Sequence, residues 1–279
     1  MIPVITRMRY KQTLLVIVLS TLFALNALNA PNAKAQVWEV GVQAGGAGYM
    51  GDLNPTQPLK ISGPSFGGFA KINFDPNWAL SLNYNFGKIK ADDAKSSNAG
   101  FRERNLSFSN KLHEFSLMVD FNFFDYFAGG GFSKFSPYLF AGIGGVIFKP
   151  KTVYQGKEYD LASYYTEGKA YKTYALSIPF GAGVKYRISE RWSLMSNIGY
   201  RNAYTDYLDD VSGLYPDASK LSSDPTIRQM QQILSDRSGE VTGVYTGAPN
   251  TQRGDFRKRD TYMFVGIGIT YTFVSQKCF

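Results

Sequence analysis

The chain holds one histidine and one cysteine in 279 residues. A lone Cys278 excludes an intrachain disulfide framework, and it reads as a free thiol. A lone His113 leaves little material for catalysis that needs a histidine base with a Ser or Asp partner. No spacing of Cys and His suits zinc, and no phosphate-binding loop is present. Gly129-Gly130-Gly131 falls in a turn, not between a strand and a helix. Past the first segment no run is apolar enough for a transmembrane helix. Internal repeats and low-complexity tracts are absent. Residues 1–35 contain no acid, but they do contain Arg7, Arg9, Lys11 and Lys34. Without those four the net charge falls from +8 to +4. So mild and dispersed an excess makes no case for nucleic acid.

Aromatics and glycine are plentiful, at 15% and 28 residues. The first segment has the three parts of a secretory signal. Arg7, Arg9 and Lys11 form a basic region, Leu14–Leu28 is mostly apolar, and Ala33-Lys34-Ala35 is an A-x-A cleavage site. A signal peptide over 1–35 and a mature chain from Gln36 are expected. The alternative is an uncleaved anchor, for which Leu14–Leu28 is short against the roughly 20 residues of a span. No cysteine stands at the cleavage site, so no lipid anchor is expected.

The remainder, 36–279, alternates with period two, the mark of strands. From Thr261 to Phe273 one face is Met263, Val265, Ile267, Ile269, Tyr271 and Phe273. The other is Tyr262, Phe264, Gly266, Gly268, Thr270 and Thr272, small and polar at its centre. Similar runs occur at residues 38–46, 65–74, 78–87, 114–123, 174–187 and 192–201. A further run, Pro137–Phe148, is apolar on both faces, and its sides cannot be assigned. Connections after the second and sixth strands are a few residues and that after the fourth is about ten. Those after the third, fifth and seventh exceed twenty. Antiparallel pairing puts all the long ones at one end.

The sequence therefore predicts an all-β fold, an eight-stranded antiparallel transmembrane β-barrel of outer-membrane type with long external loops. A soluble secreted β-barrel alternates in the same way and is the alternative. Three features favour the membrane. Gly, Ser and Ala sit mid-strand on the polar face, as a narrow lumen requires. That face also carries Glu39, Lys71, Glu114, Asp120, Lys185 and Arg201, balanced in sign and able to pair across a small interior. Trp38, Trp78 and Trp192 open strands at the short-turn end, where Phe74, Phe123, Tyr186 and Phe273 close others, with Tyr138 a candidate for the eighth. Aromatic belts of this kind mark a membrane–water interface. Location in the outer membrane, with both termini periplasmic and lipid as a partner, follows.

Few residues remain for chemistry. His113 shares parity with Phe115 and Leu117 and is expected to point outward, so the chain reads as a non-enzyme without a cofactor. Asp206, Asp209 and Asp210 cluster in the longest loop, from Tyr204 to Lys258, and are candidates for Ca²⁺. A solvated loop, or one paired to nearby Arg201, is the alternative. In the same loop Asp224-Pro225 starts a short helix with Ile227, Met230, Ile233 and Leu234 on one face and Gly239 as its stop. It is read as a lid over the barrel mouth or as a loose surface helix.

Gly51-Asp52-Leu53-Asn54 after the first strand and Thr205-Asp206-Tyr207-Leu208-Asp209-Asp210-Val211-Ser212 after the seventh resemble segments of the PorG-like outer-membrane barrels of Bacteroidota. The likeness runs from about Trp38 to Phe273. It implies a component of the type IX secretion system, which exports proteins with a C-terminal sorting domain and supports gliding motility in some species. It also implies association with a periplasmic ring built from a lipoprotein and its partner, and it carries over no catalytic residue. A free-standing small barrel, adhesin or passive pore, is the alternative. A ring contact must come from segments that reach the periplasm: Gln36 and Val37, Asp75–Asn77, Asp125–Lys134, Ser189–Arg191 and Val274–Phe279. A standard interface buries about 800 Å² per partner, which the tight turns cannot supply singly. Phe127 and Phe132 give the connection after strand four its aromatic anchors, unless the rings only dip into the lipid interface.

Overall fold

The computed structural model describes residues 37–126 and 132–273. The expected signal segment, Phe127 and Cys278 lie outside the described residues.

Eight long strands close on themselves. They are β1 (Val37–Met50), β2 (Ile61–Asn73), β3 (Trp78–Asp92), β4 (Ser107–Asn122), β5 (Phe135–Ile147), β8 (Tyr174–Arg187), β9 (Trp192–Ala203) and β10 (Thr261–Phe273). Each pairs antiparallel with its neighbours in the order β3-β2-β1-β10-β9-β8-β5-β4, and β3 pairs with β4 to complete the ring. A short hairpin, β6 (Lys151–Tyr154) and β7 (Lys157–Asp160), hangs from β4 through Ser109↔Lys151. It lies within the long connection expected after the fifth strand. Among the described residues the short α-helices all lie in the long connections: α1 (Ala99–Arg104), α2 (Leu161–Tyr164), α3 (Pro225–Ser235) and α4 (Gly239–Thr242).

The wall is inside out relative to a soluble protein. Val42, Leu82, Phe115, Val119, Ile143, Leu176 and Ile267 are exposed, while Glu39, Lys71, Glu114, Asp120, Lys185 and Arg201 are buried. An apolar band encircling the molecule far exceeds the few hundred Å² that water-soluble monomers expose, and it is stable only against lipid. Phe74, Trp78, Phe123, Tyr186, Trp192, Phe273 and Trp38 are all exposed at the short-turn end. The sides of β5 are now defined: Phe135, Leu139, Ile143 and Ile147 face out, whereas Tyr138, Phe140 and Val146 are buried. Tyr138 is thus not part of the belt. Its ring fills the lumen, and Phe135 supplies the outward aromatic of that strand.

Polarity then reverses within single strands. On β3, Leu80, Leu82, Tyr84 and Phe86 point out while Ser81, Asn83 and Asn85 are buried. Beyond Gly87 the order flips, with Lys88 and Lys90 exposed and Ile89 fully buried. On β4, Leu112 and Phe108 are buried where Lys111 is exposed, at the partner positions of Gly87, Ala91 and Lys88. The wall leaves lipid at this level and continues into water. These extensions lengthen β3 to fifteen residues and β4 to sixteen, so the connection expected to exceed twenty residues is shorter.

The lumen is filled. Lys71 Nζ and Lys185 Nζ lie 2.6 and 3.1 Å from one oxygen of Asp120. Arg201 Nε lies 3.3 Å from Glu114, which also accepts from Tyr262 at 2.6 Å. Phe140 lies against Gly181 and Gly199, where a Cβ would come within 2.6 Å of its ring. Glycine there leaves room for a lumen aromatic. The interior cavity lined by Lys71, Asp120, Tyr138 and Arg201 measures about 30 Å³, room for about one water.

Candidate functional site: the loop cap and its acidic chamber

Above the lipid level the inner wall becomes apolar, and the long loops fold onto it. Ala47, Tyr49, Ile89, Phe108, Leu112, Val146, Tyr262 and Phe264 from the strands form one core with Leu53, Leu106, Leu161, Leu208, Val211 and Leu234 from the connections. This core caps the barrel mouth. The helix expected after Asp224-Pro225 forms over Pro225–Ser235, and Asp224 accepts from the amides of Thr226 and Ile227, as an N-cap does. The expected face is buried only in part. Leu234 is in the core and Met230 packs against it, whereas Ile227 is exposed and Gln231 and Ser235 are buried instead. Gly239 is not its stop, since the helix ends at Ser235 and Gly239 opens α4. The β1–β2 connection folds outward over the wall. Tyr200 donates to the Pro58 carbonyl at 3.3 Å, and Met263, on the lipid face by parity, is 2% exposed.

Two arginines organise the polar part of the cap. Arg253 is buried and binds Glu167 at 3.0 Å, the carbonyls of Asp210 and Ser235, and the Asp210 carboxylate at 3.5 Å. Arg104 forks onto Asp93 at 2.7 and 3.0 Å and donates to the carbonyls of Asp52 and Arg253. Arg201, the partner that the alternative reading gave the acidic loop, is committed to Glu114 inside the barrel instead. Its parity on β9 sends it into the lumen.

The three aspartates Asp206, Asp209 and Asp210 do not form one ligand set. Asp210, in the left-handed region at φ 71°, accepts from Thr166 and from Tyr171 at 2.6 Å and pairs with Arg253. Asp209 accepts from Tyr49 Oη and from the Val211 amide. Asp206 instead joins Asp52 and Asp260, so that one oxygen of each of these three lies within 4.8 Å of the others. Asp52 comes from the Gly51–Asn54 stretch and Asp260 from the last residue before β10. Sequence spacing could not have grouped them, because 154 and 54 positions separate Asp206 from its two companions. The only signal was an acid in each of three segments that flank strands β1, β9 and β10, which are neighbours in the sheet.

Burial sets the electrostatics of the chamber. It pushes Asp52 up to about 7, against the Asp255 amide that favours the charged form and with the charges of Asp255 and Asp206 adding to it. Burial likewise lifts Asp206 to about 6. Asp209 and Asp260 are held well above the ordinary carboxylate range, first by burial and then by neighbouring carboxylates. Asp210 rises to about 6, since burial outweighs Arg253.

His113 points outward as expected. It is held at the polarity boundary by Tyr84 Oη at 2.9 Å from Nδ1 and by the ring of Phe86. Phe132 is 95% exposed in the connection after β4.

Fold and wall define a class, the small β-barrels that span the outer membrane. The chain belongs to the family DUF6089, a domain of unknown function, whose model matches residues 16–224. Among solved structures the chain is similar to the outer membrane protein OprG from Pseudomonas aeruginosa (12% identity, 88% of this chain and 99% of that one, TM-score 0.41). It is also similar to Neisserial surface protein A (11% identity, 85% and 97%, TM-score 0.41) and to a major outer membrane protein from Thermus thermophilus (14% identity, 86% and 100%, TM-score 0.40). No curated protein matches the sequence.

Proposed function

We propose that this barrel is a non-enzymatic subunit of the type IX secretion machinery, tying a periplasmic ring of lipoprotein and partner to the outer membrane. The observation that carries this reading is the convergence of the two stretches on which the PorG-like resemblance rests. Gly51–Asn54 and Thr205–Ser212 meet in one cap through the Asp52–Asp206 approach, next to the bond from Tyr49 of β1 to Asp209. Two distant segments that share one structural task are better grounds for kinship than either alone. The filled lumen and capped mouth favour an anchoring role over a conducting one. The single histidine, engaged by Tyr84 in the wall, favours a role without chemistry.

A second reading is a free-standing barrel that presents its cap to the outside, as an adhesin does. The cavity of about 530 Å³ between α3 and the Tyr215–Leu221 and Tyr245–Pro249 segments is the observation in its favour. Affinity purification of the tagged chain from native membranes separates the two. Recovery of a periplasmic ring lipoprotein supports the first. Recovery of barrel and lipid alone, with binding of intact cells to external ligands, supports the second. Within the first reading, the Phe127→Ser, Phe132→Ser double variant is expected to assemble normally and to lose the ring. Unchanged co-purification would place the anchor elsewhere.

A further inference from the structure

We propose that Asp52, Asp206 and Asp260 bind one hard divalent cation, Ca²⁺ in preference to Mg²⁺, which ties the β1–β2 connection to both ends of the β9–β10 loop. The proposal is independent of the secretion reading.

Three observations carry it. First, the charges do not balance locally. The nearby arginines are spent: Arg104 on Asp93, and Arg253 on Glu167 and Asp210. Asp255 pairs with Arg257 at 3.1 Å. Among the described residues no Lys or Arg forms an ion pair with Asp52, Asp206, Asp209 or Asp260. Burying carboxylates without a counter-charge is costly, and a cation removes that cost. Second, Asp260 has an oxygen with nothing to bind. Its Oδ2 accepts from the Leu208 amide at 2.9 Å, but Oδ1, in a side chain 1% exposed, has no hydrogen-bond partner. That oxygen stands directly over the Cα of Gly51, beside Asp52, where any Cβ would collide with it. A glycine at position 51 thus lets it reach the chamber. Third, the dimensions suit calcium. Three oxygens no more than 4.8 Å apart can all stand roughly 2.8 Å or less from a common centre, against Ca–O distances of about 2.3–2.6 Å and Mg–O distances of about 2.0–2.1 Å. Even at that limit Ca²⁺ needs only a slight contraction, while Mg²⁺ at the same limit needs a larger one and tolerates distortion poorly. Asp52 also lines a cavity of about 480 Å³ with Asp255, Arg104 and Gln252, which provides an entry path.

The test uses the full chain refolded in detergent, stripped with chelator and titrated with CaCl₂ or MgCl₂ by calorimetry and thermal unfolding. Gel mobility before and after boiling checks that the barrel of each variant is folded, and limited trypsin digestion checks that its cap is. One Ca²⁺ per chain, a raised melting temperature and weaker Mg²⁺ binding are expected. Asp52→Asn and Asp260→Asn are each expected to weaken Ca²⁺ binding by at least about tenfold. Asp210→Asn, whose carboxylate already serves Thr166, Tyr171 and Arg253, is expected to bind as the parent does. Absence of Ca²⁺ binding by the folded parent overturns the proposal, whatever the variants do. So does a loss on Asp210→Asn equal to that on Asp260→Asn, because the site would then be the contiguous loop.

Discussion

An arginine scan along β10 is the most direct test of the inverted wall. Val265, Ile267, Ile269, Tyr271 and Phe273 share the outward face, and Ile267 is 69% exposed. Phe273 stands in the aromatic belt, paired with Trp38. A strand rises about 3.3 Å per residue and tilts about 40° in such barrels, so each outward position climbs roughly 5 Å along the membrane normal. Ile269 and Ile267 then lie about 10 and 15 Å above the belt. They straddle the midpoint of an apolar band about 25 Å tall. Arginine at either is expected to cost about 2–4 kcal/mol, a shift of about thirtyfold to several hundredfold in the folding equilibrium. At Phe273 the arginine cost is expected to be about 0–1 kcal/mol, apart from loss of the ring's own packing. The assay is reversible denaturant unfolding in phospholipid vesicles, followed by tryptophan fluorescence, with three tryptophans at one belt as reporters. The signature is a bell-shaped dependence on depth. A flat profile would refute the argument, since arginine on a water-exposed surface changes stability by no more than about 0.5 kcal/mol anywhere along the strand.

Other perturbations probe the interior and the cap. Asp120→Ala leaves Lys71 and Lys185 buried without their shared partner and is expected to cost about 3–5 kcal/mol in the same unfolding assay. Lys71→Met is expected to be milder, because Lys185 still neutralises Asp120. Gly181→Val drives a side chain into the Ile198 carbonyl and the Phe140 ring, and a loss of about 1–3 kcal/mol or failure to refold is expected. Arg253→Ala removes the group that joins Glu167, Asp210 and Ser235. Segments 161–172 and 204–260 are expected to become sensitive to trypsin while the barrel keeps its heat-modifiable mobility; intact loops at equal protease exposure would show that the apolar cap suffices without it.

The barrel was legible in the sequence because most of its lipid-facing strands alternate apolar and polar residues. β8 and β10 match the alternating runs end to end, at Tyr174–Arg187 and Thr261–Phe273. Where alternation failed, so did the reading. β5 needs lumen aromatics to fill space over Gly181, Gly183 and Gly199, so Tyr138 and Phe140 make its inner face as greasy as its outer one. The ends of β3 and β4 were missed for the opposite reason. Above the membrane Lys88, Lys90 and Lys111 lie on the outside, and lysines in that number read as a loop when the outside is assumed to be lipid. The acidic loop misled through proximity in sequence. Asp206, Asp209 and Asp210 find different partners because the segment coils over the core formed by Leu208 and Val211, which must face down.

That reversal of polarity bears on why a cap exists at all. An eight-stranded barrel in lipid gains little from its lumen, where every charge must be matched by another and a hydrophobic interior is unnecessary. Once β3 and β4 extend into water, their inner faces can bury Ile89, Phe108 and Leu112 as a soluble protein does, and the hydrophobic effect becomes available again. Those faces need covering, and Leu208, Val211 and Leu234 are brought to them by a loop that has no strand to follow. A loop that dips into a barrel mouth takes its own polar backbone and acids with it. The buried aspartates follow from that geometry, and the pairings of Asp209 with Tyr49 and of Asp210 with Arg253, Thr166 and Tyr171 satisfy two of them within the chain. Among the described residues Asp52, Asp206 and Asp260 form no ion pair with Lys or Arg, and they lie where the β1–β2 connection crosses both ends of the β9–β10 connection. The same crossing that made them expensive to bury is what places them close enough to share one ion.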